Sequence, residues 1–310
     1  MDLIKRFLEY IRTELGYSAL TVSAYTRDLT QWADFARSAD APDVDPLTVT
    51  TSDLRTWIAY LSAQGMAMRS IKRKASALRS FFKFLHRESL IADNPAASLI
   101  TGHLPKPVPV YVRTDETMRI IDDNSNAADD LETVRNTLIL ALFYTTGIRC
   151  SELTGLRDVD VDTQRGELKV LGKRNKQRVI PFGEELGALI DQYRVMRDAN
   201  PETSVSHSDH TAPLFTASGG KGLNRKTVYN VVHRLLSEGG AHAERLSPHV
   251  LRHSCATDML NSGAPISTVR EMLGHASLAS TQVYTHVSYR DIQQNYQLAH
   301  PRAQHQKKGE

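Results

Sequence analysis

Four short segments of this 310-residue sequence hold side chains whose types and spacing can do chemistry together. "TGIRCSEL" sets Arg149 just past a glycine, at an expected helix end. "GKRNKQ" is a basic turn that offers Lys173, Arg174 and Lys176. "LSPHVLRHSCATDML" has Ser247 at a helix cap, Pro248 at the first helical position, and then His249 and Arg252. Three residues apart, His249 and Arg252 share one face of the first helical turns. "GHASLASTQVYTHV" sets His275 nine residues ahead of Tyr284.

A phenol has an ordinary pKa of about 10, so a tyrosine needs help to act as a nucleophile at neutral pH. Two arginines can grip the non-bridging oxygens of a phosphodiester with planar, permanently charged forks and stabilise a five-coordinate phosphorus. A helix N-terminus beside one of them adds a favourable dipole. Histidines can take the phenol proton or donate to a phosphate oxygen, and a lysine can protonate the departing oxygen. A tyrosine in that field becomes a nucleophile that conserves bond energy as a phosphotyrosyl ester, with no metal, nucleotide or other cofactor. A zinc pair at His249 and His253 is disfavoured, because the residues between them are Val-Leu-Arg, with a cation and no glutamate. His253 is expected to be a structural hydrogen bonder and Cys255 a small buried side chain. Tyr144, on an apolar helix, and Tyr289 and Tyr296 are expected to pack.

The elements that must position these groups fall into two parts. The first hundred residues read as a bundle of helices: Asp2–Leu15, a second from a Ser18 cap to about Arg37, and a third in "TTSDLRTWIAYLSAQG" with an apolar stripe of Leu54, Trp57, Ile58 and Leu61. In "RSIKRKASALRSFFKFLHR", Arg69, Lys72, Arg73, Lys74, Arg79, Lys83 and Arg87 occur with no acid, while Ile71, Ala75, Leu78, Phe81, Phe82 and Leu85 recur at helical spacing. This predicts one amphipathic helix with a basic outer side suited to a phosphate backbone, with Arg69, Lys72, Arg73, Lys74, Arg79 and Lys83 as candidate DNA contacts. "TGHLPKPVPVYV", residues 101–112, has three prolines in a short span and reads as an extended linker between domains 1–100 and 113–310. Beyond it come the helices "RTDETMRIIDDN" and "LETVRNTLILALFYTTG", then two strands, "GELKVLG" and "KQRVIPF", joined as a hairpin. Helices resume at Glu184 and, apart from a polar loop at 200–213, continue to the end. The second domain is therefore expected to be mostly helical with a small sheet.

Bulk composition excludes several classes. With 41% apolar and 24% charged residues and a net charge of +3, the chain reads as an ordinary soluble protein long enough for two domains. Two cysteines form no spaced set, which argues against a disulfide framework and fits a reducing compartment. The N-terminus lacks an apolar signal core, and the apolar run "LILALFY" is too short to span a bilayer. A cytoplasmic, nucleoid-associated location with no membrane partner is expected.

Taken together, "GIRCSEL", "GKRNKQRVIP", "LSPHVLRHSCAT", "LGHASLASTQVYTHV" and the terminal "HPRA" resemble the tyrosine recombinase (phage-integrase) family, with the Xer type nearest in length and order. The resemblance covers nearly the whole chain. It assigns the family's catalytic positions to Arg149, Lys173, His249, Arg252, His275 and the nucleophile Tyr284, with Glu152 in support; the choice of Lys173 over Lys176 rests on that resemblance. It implies a mostly α fold with a small antiparallel sheet, comprising an N-terminal helical core-binding bundle and a C-terminal tyrosine-recombinase catalytic domain that clamp duplex DNA. It further implies a homotetramer, or a heterotetramer with a second recombinase, that exchanges strands through a 3′-phosphotyrosine and a Holliday junction. The C-terminal helix would dock into a neighbouring protomer. No arm-site domain precedes the first helix, which favours an Xer-like or small mobile-element enzyme, acting in replicon dimer resolution or in integration and excision. In some Xer systems a DNA translocase activates the reaction. A type IB topoisomerase shares the residue kit but religates the same strand, and a catalytically silent DNA-binding protein of this fold would lack a motif residue.

Overall fold

The computed structural model describes residues 2–37, 45–99, 111–127, 129–172, 177–205, 211–274 and 299. The chain divides into two units, Met1–Pro107 and Val108–Glu310.

The described residues of the first unit form four helices: α1 (Asp2–Thr13), α2 (Ala19–Arg37), α3 (Thr51–Ala63) and α4 (Met68–Arg87). The expected stripes do face inward. Phe7 and Ile11 of α1, Leu29 and Trp32 of α2, and Leu54, Trp57 and Leu61 of α3 are buried around Ile71, Leu78, Phe81, Phe82 and Leu85 of α4. Trp32 meets Phe82 edge-on at 5.6 Å, and Phe7 meets Phe81 edge-on at 5.5 Å, the arrangement aromatic quadrupoles favour. Helix α3 starts on a reciprocal cap. The Thr50 hydroxyl accepts from the Asp53 N–H, and the Asp53 carboxylate accepts from the Thr50 N–H at 2.9 Å.

Because α1, α2 and α3 all pack on α4, little of α4 reaches solvent. Arg69, Ser76 and Lys83 are exposed in one line, flanked by half-buried Lys72, Arg73 and Arg79. Lys74 is a correction to the expected basic face. Two residues amount to about 200° of helical turn, so Lys74 lies nearly opposite Ser76 and points into the bundle. Its Nζ donates to Asp28 Oδ1 at 2.9 Å, with side chains 4% and 0% exposed, and also to Gln31. Arg73 donates to the other oxygen of Asp28, and Arg79 to the Leu99 carbonyl, so both are partly engaged within the bundle.

The second unit is built around α6 (Leu131–Thr146), whose second half is buried on every side. Asp130 caps it, accepting from the Thr133 N–H at 3.0 Å, and Gly147 ends it at φ 58°. Helices α5 (Thr114–Asn126), α8 (Glu184–Ala199), α9 (Arg225–Glu238) and α10 (Pro248–Asn261) pack on it; α7 (Cys150–Leu153) and α11 (Ile266–Leu273) complete the described helices. The expected hairpin is β2 (Glu167–Leu171) with β3 (Gln177–Pro181), antiparallel, pairing Val170 with Arg178 and Leu168 with Ile180. A third strand, β1 (Val161–Asp162), adds to β2, too short for alternation to reveal. After α8 the described residues 200–205 and 211–224 are irregular apart from short bridges, so the break in helix extends past the loop expected at 200–213. The buried Arg197 donates to Asp158 and to the Leu214 carbonyl, both at 3.0 Å. No helix among the described residues is long and apolar enough to cross a membrane.

The buried Lys74–Asp28 pair gives a stability prediction. Truncating one partner strands the other charge in the core, which costs about 3–5 kcal/mol. Asp28→Ala should destabilise the N-terminal unit by roughly that amount in urea unfolding, and Asp28→Ala with Lys74→Met should recover most of it. A single variant within about 0.5 kcal/mol of the parent would contradict the buried pairing.

Candidate active site

Gly147 lets the chain leave α6 in a left-handed turn; a Cβ there would collide with the Leu273 side chain. Ile148 anchors the turn at 0% exposure, and Arg149 follows as the N-cap of α7. Three residues on, Glu152 folds back over the start of its own helix. Its carboxylate accepts from the Arg149 main-chain N–H at 2.8 Å and from Arg149 Nη1 at 2.7 Å. From β3, Arg178 brings a second fork to the same carboxylate, Nη1 at 2.8 Å and Nη2 at 2.9 Å. The Glu152 side chain is 3% exposed. Burial alone would raise its pKa, but the hydrogen bonds from Arg178 and the Arg149 main chain, with the Arg178 charge, outweigh it and hold the carboxyl at about 2.

The C-terminus of α11 is the second junction. Its final carbonyls have no intrahelical partner and carry the negative end of the helix dipole. Three consecutive ones each accept from a different arginine: Met272 from Arg178 Nε at 2.8 Å, Leu273 from Arg252 Nη2, and Gly274 from Arg149 Nη2 at 2.6 Å. Arg252 Nη1 also donates to the Gly147 carbonyl, the open end of α6. Gly274 sits at φ 62°, and a Cβ there would press on the Arg178 guanidinium at 3.2 Å. Arg149, Arg178 and Arg252 are thus gathered from an α6–α7 turn, a strand and α10 onto one carboxylate and two helix ends.

Arg252 is buried, while His249, one turn earlier on α10, is exposed. Burial and then the Arg149 charge lower the Arg252 pKa to about 10, so the guanidinium stays charged near neutrality. Behind it, Cys255 is wholly buried, and burial pushes its thiol up to about 12, outside the reactive range. The back of α10 is pinned to the rest of the unit. The Tyr144 hydroxyl donates to Asp258 at 2.9 Å, and the Val112 N–H donates to the Ser254 hydroxyl at 2.9 Å.

Of the residues singled out in the sequence, Arg149, Glu152 and Arg252 come together, with His249 on the same helix as Arg252. Lys173, His275 and Tyr284 lie outside the described residues, as do Tyr289 and Tyr296. Ser247 stands at the N-cap, as expected, without a side-chain capping bond. His253 is exposed on the solvent side of α10, and its side chain hydrogen-bonds to no other described residue. Arg178 went unrecognised, hidden in a run of cations. The available signal was strand alternation: Ile180 points inward, so Arg178, two residues earlier, does too.

The Glu152 carboxylate is depressed from an ordinary 4.5 to about 2. Its contribution to stability is therefore fully present above pH 4.5 and is lost as pH falls through about 2. In urea titrations across that window, Glu152→Gln should show a shallower fall in stability than the parent. Parallel curves would contradict the ionised, doubly bridged carboxylate.

Comparison with known proteins fits this geometry. Residues 111–291 match the phage integrase family, and residues 4–89 match the phage integrase N-terminal SAM-like domain. A tyrosine recombinase XerC of Chlorobaculum tepidum is 34% identical over 96% of this chain and 94% of its own length. A tyrosine recombinase XerD of Proteus mirabilis is 35% identical over 97% of this chain and 93% of its own. Among solved structures, the Tn1549 transposon integrase with transposon right end DNA aligns at TM-score 0.70 and 19% identity, covering 93% of this chain and 96% of its own. The XerH site-specific recombinase bound to difH substrate aligns at TM-score 0.65 and 20% identity, covering 94% and 83%. These two share the fold. With arginines from distant segments held on one buried carboxylate, and relatives similar over nearly the full length, the chain belongs to the phage integrase family of tyrosine recombinases.

Proposed function

We propose that this chain is a site-specific recombinase that cuts and rejoins duplex DNA through a 3′-phosphotyrosyl intermediate. The observation that carries the reading is how Arg149 and Arg252 are held. Each commits two N–H donors to protein acceptors among the described residues, out of the five a guanidinium has. The remaining donors, which no described residue engages, would grip the non-bridging oxygens of a scissile phosphate while the protein side keeps the forks fixed.

On this reading the Tyr284 oxygen attacks phosphorus and its proton passes to a histidine, His249 or His275. The bond to the 5′ oxygen breaks, and Lys173 supplies the proton that makes it a hydroxyl. The partner strand's 5′-hydroxyl then attacks the phosphotyrosine, expels the phenol and restores the phosphodiester, so no external energy is needed. Two such rounds in a tetramer on two core sites pass through a Holliday junction. The N-terminal unit would hold the core site and the C-terminal unit would do the chemistry in the cytoplasm, at the nucleoid. Similarity to both XerC and XerD relatives supports an Xer-like role, with itself or a second recombinase as partner. Relaxation of the type IB kind is not favoured, since the relatives named are recombinases.

The test is covalent capture. Wild-type protein incubated with a pool of randomised nicked duplexes should leave a protein–DNA adduct from which the core site can be sequenced, and Tyr284→Phe should leave none. An adduct that persists in Tyr284→Phe would remove that nucleophile. For the exposed line on α4, combined Arg69→Ala, Lys72→Ala and Lys83→Ala should weaken binding to the captured site. The slope of log affinity against log salt should flatten by about 2 to 3, at roughly 0.9 for each phosphate no longer neutralised. An unchanged slope would turn α4 away from DNA.

A further inference from the structure

Arg178 is absent from the catalytic set, yet, like Arg149, it touches both junctions of the site. Two of its donors lie along the Glu152 carboxylate, at 2.8 and 2.9 Å, and its Nε lies on the Met272 carbonyl at 2.8 Å. Its side chain is 14% exposed, and the forked edge that would suit a phosphate is already occupied by the carboxylate. It is therefore poorly placed to be a third phosphate clamp. It is well placed to fix things that are clamped. Through Glu152 it sets Arg149, whose main-chain N–H and Nη1 both end on that same carboxylate. Through Met272 it holds the last turn of α11, whose next two carbonyls receive Arg252 and Arg149. Gly274 is the residue immediately before His275 in the sequence. Arg178 also belongs to β3, which begins four residues after Lys173 in the sequence.

We infer that Arg178 is a positioning residue for the strand-cleavage step. By bridging Glu152 to the C-terminus of α11, it sets the relative placement of Arg149, Arg252 and Gly274, without contacting DNA. This rests on the recombinase reading above. A lysine cannot do the same, because one ammonium cannot span two carboxylate oxygens and a carbonyl in the plane of a guanidinium.

The experiment uses the full-length protein and the core duplex captured by the wild type, made as a nicked suicide substrate. Single-turnover cleavage at saturating protein gives a rate constant and an amplitude separately, and a gel shift on the uncut duplex gives Kd. A misplacement of about 1 Å can slow chemistry by about a hundredfold. Arg178→Gln and Arg178→Lys should therefore each lower the rate constant by about that factor, with Kd within about threefold of wild type. Simple loss of folded protein would instead lower the amplitude and leave the rate constant alone, and that result would overturn the proposal. Arg178→Gln combined with Glu152→Gln should be no slower than the slower single variant, because both act through one junction. Multiplicative losses would overturn it. A weakened Kd with a preserved rate constant would make Arg178 a DNA contact instead, and a wild-type rate in Arg178→Lys would mean that charge alone matters. Arg178→Lys retains charge and most of the volume, so the test stands even if Arg178→Gln does not fold. Wild-type adduct formation in the same assay separates a failure here from a failure of the recombinase reading.

Discussion

Three guanidiniums in one small region repel each other, and everything in the second unit that concerns chemistry depends on how that repulsion is met. One buried carboxylate, Glu152, takes Arg149 and Arg178 at once. Among the described residues the remaining counter-charge is not a side chain but the carbonyl ends of two helices, at Gly147 and at residues 272 to 274. A helix terminus offers partial negative charge without a group that can be protonated or swing away. The arrangement neutralises enough charge to let the arginines coexist while leaving them net positive toward solvent, which is the condition for attracting a phosphate.

The same choice ties fold to site. Carbonyl partners come from the main chain, so the arginines are only as well placed as α6 and α11 are. Those helices are placed by burial: α6 is enclosed by four neighbours, and Val269, Met272 and Leu273 of α11 are buried against the same core. Glycine at 147 and 274 meets the left-handed backbone at both positions; a Cβ at 147 would also collide with Leu273, and one at 274 would crowd Arg178. Core packing in this unit thus sets the geometry of the arginine cluster through main-chain carbonyls, alongside the Glu152 and Arg178 side chains.

Much of this was legible in the sequence, for identifiable reasons. Helix starts and ends announce themselves locally, as at Thr50 with Asp53, Asp130, Pro248 and Gly147, and the stripe Ile71, Ala75, Leu78, Phe81, Phe82, Leu85 fixes the inner face of α4. What was not legible depends on partners distant in the chain. Lys74 shares its helical face with Ile71 and Leu78, but a lysine there is tolerable only because Asp28 waits 46 residues earlier. Arg178 reads as one more cation near a basic turn until Glu152, 26 residues before it, and Met272, 94 after, are brought alongside. A carbonyl used as a ligand leaves no trace in residue identity at all.

The burial of α4 on three sides has an entropic meaning as well. From Arg69 to Lys83 the exposed line runs fourteen residues, or about 21 Å at 1.5 Å per residue. Phe81, Phe82 and Leu85 hold the helix against rotation, so the backbone beneath those cations is ordered when the bundle folds. A polyanion laid along it would have only long side-chain tips to immobilise, and the share of the ordering entropy which flexible basic tails lose at the moment of contact would already be absent from such a binding equilibrium.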